Sequence, residues 1–246
     1  MENSHYKTSY KVRIADANSQ ARLKIPALFE MLQEAATEHA QNLGVDFSSI
    51  APLGLGWALT KMSVELYNLP KWNERVYIDT WPSERERITT HREFIAQSAD
   101  NTPYFSARSQ WVLFDLNTRR LARMERLKDF LRDPNKLATA ETFDTPLKRP
   151  APNPQHIECH VRNNDIDLNG HVNNSIYIVW AIQSLDDDFL KKMIPSKIQI
   201  NFLEEVKMHE SVKSICEIQD NMSLHSIVNV QTQRECARIN IQWQQI

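Results

Sequence analysis

Residues 165–180, DIDLNGHVNNSIYIVW, place a dense polar cluster directly before an apolar segment. Asn173, Asn174 and Ser175 are good N-cap residues, and the apolar residues after them recur at helical spacing. The glycine at 170 allows the backbone to take a positive φ. The stretch predicts a polar loop at the N-terminus of a buried helix, where a carbonyl oxygen or an anion is favoured. Three side chains of the loop stand at every second position, so an extended segment projects them to one side: Asp167, Asn169 and His171.

A purely structural interpretation of the same stretch is a turn rich in Asn and Asp before a core helix. In that case His171 is hydrogen-bonded to the backbone and has no chemical role. Short motifs of this kind also occur by chance. The choice between the two interpretations therefore depends on the rest of the chain.

The composition excludes several classes of function. The 246 residues carry 29 Lys and Arg against 31 Asp and Glu, a balance that gives no signal of nucleic-acid binding. No apolar run is long enough to cross a bilayer, and the first residues lack the pattern of a secretory signal peptide. With 4 glycines, the chain has no Gly-rich phosphate loop. Three cysteines without a CxxC pairing indicate a reducing cytoplasm: Cys159, Cys216 and Cys236.

The first half of the chain alternates between strand and helix patterns. Residues 9–14 alternate like a strand, and apolar residues recur on one helix face from Ile25 to Leu43, ending at Gly44. From Trp57 to Met124 the pattern predicts several antiparallel strands. This order predicts an α+β fold in which one curved sheet packs on one helix.

The same order recurs after a charged and proline-rich segment. We predict an N-terminal domain over 1–125, a linker over 126–155 with a short helix near 127–132, and a C-terminal domain over 156–246. On this register Glu74 corresponds to Glu210. The polar positions also correspond, with Asn18, Gln20, Arg22 and Leu69 in the first copy and Asp167, Asn169, His171 and Glu205 in the second. A leucine cannot take a proton, so we expect the second copy alone to be catalytic.

The pattern D-x-N-G-H-V-N-N-x-x-Y at 167–177 resembles the catalytic segment of the acyl-ACP thioesterase family, in its bacterial-type form with a fused double hotdog. The resemblance implies a tandem hotdog, each half an antiparallel sheet wrapped around a central helix. It also implies hydrolysis of fatty acyl-ACP to free fatty acid and holo-ACP in fatty acid biosynthesis, with acyl carrier protein as the partner. Four other stretches look like family signatures in family order: 57–62, 69–73, 79–81 and 109–121.

The resemblance further implies a catalytic set. Glu205 is expected to act as general base on a water molecule, while Glu204 is the neighbour that a shift of one residue would select. Val206 stands where plant-type members have a cysteine, which argues against a thiol nucleophile. The remaining members are Asn169 and His171, which position the water or the intermediate, and Asp167, which orients its neighbours. We expect the oxyanion donors to be backbone N–H groups of the loop, those of Gly170, Val172 and Asn173.

Other expectations concern the acyl chain, metals and the carrier. The acyl tunnel is expected along the first long helix and one residue of the second: Leu28, Phe29, Leu32, Ala36 and Tyr177. The competing interpretation of these residues is plain core. The spacing of His160 and His171 with nearby carboxylates fits no common zinc pattern, so we expect no metal and no cofactor. Six arginines are candidates to meet an acidic carrier protein, or else are solvated charges: Arg85, Arg87, Arg92, Arg119, Arg120 and Arg123.

Two alternatives to the acyl-ACP hydrolase stay open. One is a hotdog thioesterase that acts on acyl-CoA or another thioester. The other is an acyl-binding protein without catalysis, which the intact D-x-N-G-H pattern together with Glu205 disfavours. A homodimer is an open option for the oligomeric state.

Overall fold

The computed structural model describes residues 4–151 and 155–245. The chain divides into two compact units, the first ending at Glu141 and the second beginning at Thr142. Within the described residues, no helix is both long enough and apolar enough to span a membrane.

The first unit is an antiparallel sheet that packs on one long helix. Its strands lie in the order β1, β3, β4, β5, β2, and the short strand β6 pairs with β5. The long helix α1 contacts β1 and β3. The elements are β1 (Tyr6–Lys11), α1 (Ile25–Asn42), α2 (Phe47–Ile50), β2 (Leu55–Leu66), β3 (Arg75–Arg85), β4 (Thr89–Gln97), β5 (Pro103–Asp115) and β6 (Leu121–Ala122).

The helix α1 forms where the apolar periodicity predicts it. A proline at position 26 lies in the first turn, where its missing N–H costs no helical hydrogen bond. Gly44 follows the helix with φ +62°, a conformation that glycine adopts without a steric penalty. One face of α1 is buried against the sheet, through Ile25, Ala27, Leu28, Phe29, Met31, Leu32, Ala35, Ala36 and His39.

The second unit repeats the arrangement with a shorter helix. Its strands lie in the order β8, β11, β10, β9, β7, all antiparallel to their neighbours. The helix α3 contacts β9, β10 and β11. The elements are β7 (Gln155–His160), α3 (Asn174–Gln183), α4 (Asp187–Lys192), β8 (Met193–Phe202), β9 (Ser211–Gln219), β10 (Met222–Asn229) and β11 (Glu235–Gln245). Each unit is thus one long helix on an antiparallel sheet, the hotdog arrangement that the sequence predicts.

The segment predicted as a linker belongs in large part to the first unit. The helix expected near 127–132 does not form, and a single 3-10 turn spans Met124–Arg126 instead. The residues that follow are held on the sheet by side chains of the strands. Three contacts do this: Trp81 Nε1 donates to Lys136 O at 2.9 Å, the N–H of Ala138 donates to Glu93 Oε2 at 3.1 Å, and Arg85 Nη1 lies 2.7 Å from Asp129 Oδ1.

Candidate active site

The polar loop before α3 is shaped by the carboxylate of Asp167. Its Oδ1 accepts the backbone N–H of Asn169 at 2.8 Å and that of His171 at 3.4 Å. The N–H of Asp167 donates to His171 O at 2.8 Å, which closes the turn. Gly170 sits at the turn with φ +77°, in the left-handed region that favours glycine. Asp167 therefore fixes the course of the backbone between itself and His171.

The loop is joined rigidly to the helix that follows it. Asn173 is the N-cap of α3, and its Oδ1 accepts the N–H of Ser175 at 2.9 Å. Val172 is buried, with 4% of its surface exposed. Ile166 and Val172 form an antiparallel bridge across the loop. His171 thus stands between a buried residue and a capped helix, and its backbone has little freedom to move.

The segment after β8 runs beside this loop and carries Glu205. The N–H of Val172 donates to Val206 O at 3.0 Å, and His171 forms an antiparallel bridge with Lys207. This pairing places His171 Nε2 3.1 Å from Glu205 Oε2. The two side chains are 23% and 41% exposed, so water reaches both of them. A carboxylate and an imidazole in contact can hold a water molecule and take its proton.

The neighbouring glutamate points elsewhere. Glu204 Oε1 lies 2.9 Å from Arg234 Nη1, and its backbone N–H donates to Cys236 O at 3.1 Å. Glu204 is therefore engaged by the β10–β11 turn, while Glu205 is paired with the histidine. Of the two glutamates, Glu205 therefore lies beside His171 and Glu204 does not.

The expectation that backbone N–H groups of the loop act as oxyanion donors is corrected by the structure, because each of them already has a carbonyl partner. The N–H of Gly170 donates to Asp167 O at 3.1 Å, that of Val172 to Val206 O at 3.0 Å, and that of Asn173 to Asp165 O at 2.8 Å. A donor already aligned on a carbonyl is not directed at a reacting oxyanion. The side-chain donors of the same loop are the Asn169 carboxamide and the His171 imidazole. Asn169 Nδ2 lies 3.5 Å from Asp167 Oδ2, at the limit of a hydrogen bond.

The residues predicted to line the acyl tunnel are all buried. Burial is common to a packed core and to a closed tunnel, so for the four residues of α1 the assignment stays a prediction. Tyr177 has a further contact that its place in the motif does not reveal, because its hydroxyl hydrogen-bonds to the backbone on both sides of Glu205. The exposed fractions are 0% for Leu28, 4% for Phe29, 0% for Leu32, 6% for Ala36 and 3% for Tyr177.

A thiol lies in the same region without the character of a nucleophile. Cys236, on β11, is buried, and burial raises the pKa of its thiol to about 11. The thiolate is the reactive form of cysteine, so this side chain is inert at neutral pH. Its importance is structural, since its carbonyl accepts N–H groups from Leu203 and Glu204. Within the described part of the chain, no three His, Cys, Asp or Glu side chains form a group able to hold a metal ion.

The first unit contains the same loop without the acid. Asn18 Oδ1 accepts the backbone N–H groups of Gln20 and Arg22, each at 3.0 Å, as Asp167 does in the second unit. Arg22 bridges to Lys71 as His171 bridges to Lys207. This register places Leu69 at the position of Glu205, and Leu69 is buried. The repeat predicted from sequence is therefore present in the backbone hydrogen bonds, and the first copy has a leucine at the position of Glu205.

Curated relatives are found among plant thioesterases. The chain is 29% identical over 228 residues to oleoyl-acyl carrier protein thioesterase 2 of Arabidopsis thaliana, with 85% of this chain and 62% of that protein covered. It is 27% identical over 248 residues to the oleoyl-acyl carrier protein thioesterase of Coriandrum sativum, covering 91% and 66%. The chain thus spans just under two thirds of the length of these relatives.

Solved structures and family models agree with the fold. An acyl-ACP thioesterase from Bacteroides thetaiotaomicron superposes with a TM-score of 0.89 at 19% identity, covering 98% of both chains. The 12:0-ACP thioesterase from Umbellularia californica gives 0.87 at 17% identity, covering 100% of this chain and 99% of the other. These likenesses establish the double hotdog. The models of the acyl-ACP thioesterase N-terminal and C-terminal domains match residues 3–131 and 149–245. The chain therefore belongs to the acyl-ACP thioesterase family.

Proposed function

We propose that this protein hydrolyses the thioester of fatty acyl-ACP and releases free fatty acid and holo-ACP in fatty acid biosynthesis. Membership of the family supports the reaction class. The observation that carries the proposal is the contact of 3.1 Å between His171 Nε2 and Glu205 Oε2, at an exposed surface of the second unit. The proposal divides the labour so that the second unit performs the chemistry.

In the proposed mechanism Glu205 is the general base. Its carboxylate takes a proton from water as the water oxygen bonds to the thioester carbonyl carbon, which gives a tetrahedral intermediate. The carbon–sulfur bond then breaks, and the proton passes to the departing thiolate. His171 and Asn169 hold the water and the developing oxyanion through their side-chain donors. Asp167 contributes by fixing the loop, since its carboxylate accepts two backbone N–H groups of that loop.

The first unit is assigned the acyl chain. It repeats the loop but has Leu69 where the base would stand, so it has no proton acceptor at that position. Its helix α1 offers a continuous buried apolar face through Leu28, Phe29, Leu32 and Ala36. A saturated chain removed from water gains about 0.8 kcal/mol per buried methylene, and an apolar face of this kind is the environment that such a chain requires.

The carrier is proposed to meet an exposed basic patch on the first unit. Two of the six candidate arginines are left out of this proposal, because their side chains are engaged within the unit. Arg92 is 8% exposed and contacts His39 inside the unit, and Arg85 donates to backbone oxygens of Met124 and Leu127. The other four arginines are exposed. They lie in the β3–β4 turn and in the segment from the β5–β6 turn to Arg123, and the N–H of Met124 joins these two segments by donating to Arg87 O at 2.9 Å. We name this set the basic hairpin patch: Arg87, Arg119, Arg120 and Arg123.

A substrate panel tests the proposal. Purified protein is incubated with acyl-ACPs and acyl-CoAs of several chain lengths, and both the free fatty acid and the new thiol are measured. Hydrolysis of acyl-ACP that is lost in Glu205→Gln and kept in Glu204→Gln is the expected result. Turnover of acyl-CoA in preference to acyl-ACP would transfer the proposal to a general thioesterase. Binding of acyl-ACP without release of fatty acid would refute hydrolysis altogether.

A further inference from the structure

The hydroxyl of Tyr177 hydrogen-bonds to both peptide groups that flank Glu205. It donates to Glu204 O at 3.4 Å and accepts the N–H of Val206 at 3.1 Å. The first group belongs to the peptide before Glu205 and the second to the peptide after it. One oxygen atom therefore fixes the backbone on each side of the acid that faces His171.

The ring that carries this hydroxyl is itself held firmly. Tyr177 lies on α3 with 3% of its surface exposed. Its ring makes edge contacts with Trp180 and Phe202, at centroid distances of 5.3 Å and 5.6 Å. Burial raises the pKa of the phenol well above its usual range, so the hydroxyl keeps its proton and can donate and accept at once. The clamp is part of a packed core and does not depend on pH in the working range.

A second set of contacts restrains the same segment from the sheet. The N–H groups of Leu203 and Glu204 both donate to Cys236 O, at 2.8 Å and 3.1 Å. Between these contacts and the Tyr177 hydroxyl, the backbone at Glu205 is held from the helix side and from the strand side. From this restrained backbone the Glu205 carboxylate reaches the imidazole, with Oε2 3.1 Å from His171 Nε2.

The first unit provides an internal comparison. Lys24 stands at the N-cap position of α1 and Asn173 at that of α3, so Leu28 occupies the position of Tyr177. The N–H of Leu23 donates to Pro70 O as that of Val172 donates to Val206 O, so Pro70 corresponds to Val206. A leucine has no hydroxyl, and a proline has no N–H to offer one. Both halves of the clamp are absent in the unit whose acid is replaced by Leu69.

We propose that Tyr177 is a positioning residue for Glu205, holding the flanking peptide groups so that Oε2 stays within reach of His171. The proposal rests on the proposed function, in which Glu205 is the base, and replaces the expectation that Tyr177 lines an acyl tunnel. A displacement on the order of 1 Å in a catalytic group can cost up to about 10²-fold in rate, so a clamp of this kind has a measurable effect.

The test uses Tyr177→Phe, which removes the hydroxyl and keeps the ring. Its matched control is Tyr104→Phe, because Tyr104 is also buried and its hydroxyl donates to Glu74 Oε2 at 2.9 Å. We expect kcat for acyl-ACP to fall on the order of 10-fold in Tyr177→Phe with KM within about 2-fold, and the acidic limb of its pH–rate profile to move. Tyr104→Phe should keep the wild-type kcat and pH profile.

A double mutant separates positioning from general damage. If Tyr177 acts through Glu205, adding Tyr177→Phe to Glu205→Gln should cost no further activity, since the group being positioned is gone. Equal losses from Tyr177→Phe in both backgrounds, or a Tyr177→Phe enzyme with the wild-type kcat and pH profile, would overturn the inference. A fully active Glu205→Gln enzyme would instead overturn the base assignment, so the two failures are distinguishable.

Discussion

His171 and Glu205 come together because a backbone hydrogen bond from Val172 to Val206 sets their two segments in register. The side-chain contact of 3.1 Å follows from that pairing. The same pairing in the first unit, from Leu23 to Pro70, sets Arg22 against a leucine. The two units thus share one backbone pairing, but only the second has a carboxylate at the position of Glu205.

Replacing Glu205, the proposed base, tests the mechanism most directly. Glu205→Gln keeps the size of the side chain and removes its ability to accept a proton, so kcat should fall on the order of 10²-fold or more. Steady-state kinetics on acyl-ACP measure this. Glu204→Gln is the control, because Glu204 is paired with Arg234, and it should be nearly silent. Full activity in Glu205→Gln would contradict the assignment.

The loop carboxylate can be tested for charge and shape separately. Asn18 holds the equivalent turn of the first unit with a carboxamide, so Asp167→Asn should fold with a free energy of unfolding within about 1 kcal/mol of wild type. Its kcat should drop, because the neutral amide no longer orients Asn169 and His171 as the carboxylate does. Urea unfolding and kinetics together check this. The reciprocal Asn18→Asp should leave kcat unchanged, and an equal loss there would argue against the division of labour.

We expect the free energy of unfolding to depend on pH through the buried His225. His225 is fully buried, contacting Ser223 Oγ at 2.8 Å and Ser184 Oγ at 3.3 Å, and burial lowers its pKa from 6.5 to about 3. Over that range the unfolded chain binds a proton that the folded protein does not. The contribution is complete above pH 6.5 and is lost as pH falls towards 3. The loss should be about 2 kcal/mol by pH 5.

Urea unfolding of wild type and His225→Gln at pH 7 and pH 5 measures this contribution. The glutamine does not titrate, so the gap between the two free energies of unfolding should shift in favour of the variant as pH falls. A gap that stays constant between the two pH values would show that His225 is not the group responsible.

The basic hairpin patch should steer an acidic carrier. Arg119→Glu combined with Arg120→Glu should lower kcat/KM for acyl-ACP through slower association. Raising the salt concentration should lower the wild-type kcat/KM towards the value of the variant, because salt screens the attraction. The same pair of changes should leave kcat for acyl-CoA near the wild-type value. Arg92→Met is not a suitable probe, since that side chain is buried. A kcat/KM for acyl-ACP that is insensitive to both salt and charge reversal would exclude this patch.

Bulky residues on α1 distinguish an acyl site from plain core. Leu32→Trp or Ala36→Trp in an acyl tunnel should shift the preferred substrate to shorter chains while short thioesters are still hydrolysed. In a packed core the same change should cost about 1–3 kcal/mol of stability and depress all substrates alike. Thr37→Trp, at an exposed position of the same helix, controls for the effect of tryptophan on the helix. The measurements are chain-length profiles and melting temperatures.

The sequence by itself determined the elements and their repetition. Helical periodicity located α1, the three N-cap candidates at 173–175 located the start of α3, and alternation located the strands to within a few residues, because these signals are local. The bounds of the first strand differ most clearly from the prediction. It was expected at 9–14 but spans Tyr6–Lys11, since Ile14 begins a 3-10 turn and is 79% exposed. The repeat register was also visible, because both copies keep the polar loop and a later glutamate, Glu74 in the first and Glu210 in the second.

The tertiary structure decided everything that depends on a partner distant in sequence. The pairing of Glu204 with Arg234, and the engagement of the loop N–H groups by backbone carbonyls, are both contacts between residues that the sequence does not show to be neighbours. The hydrogen bonds of the Tyr177 hydroxyl required the segment after β8. Residues 126–141 look like a linker by composition but are held by hydrogen bonds from strand side chains. Periodicity reports which face of an element is buried, whereas the acceptor that each polar group meets is fixed only when the chain folds back on itself.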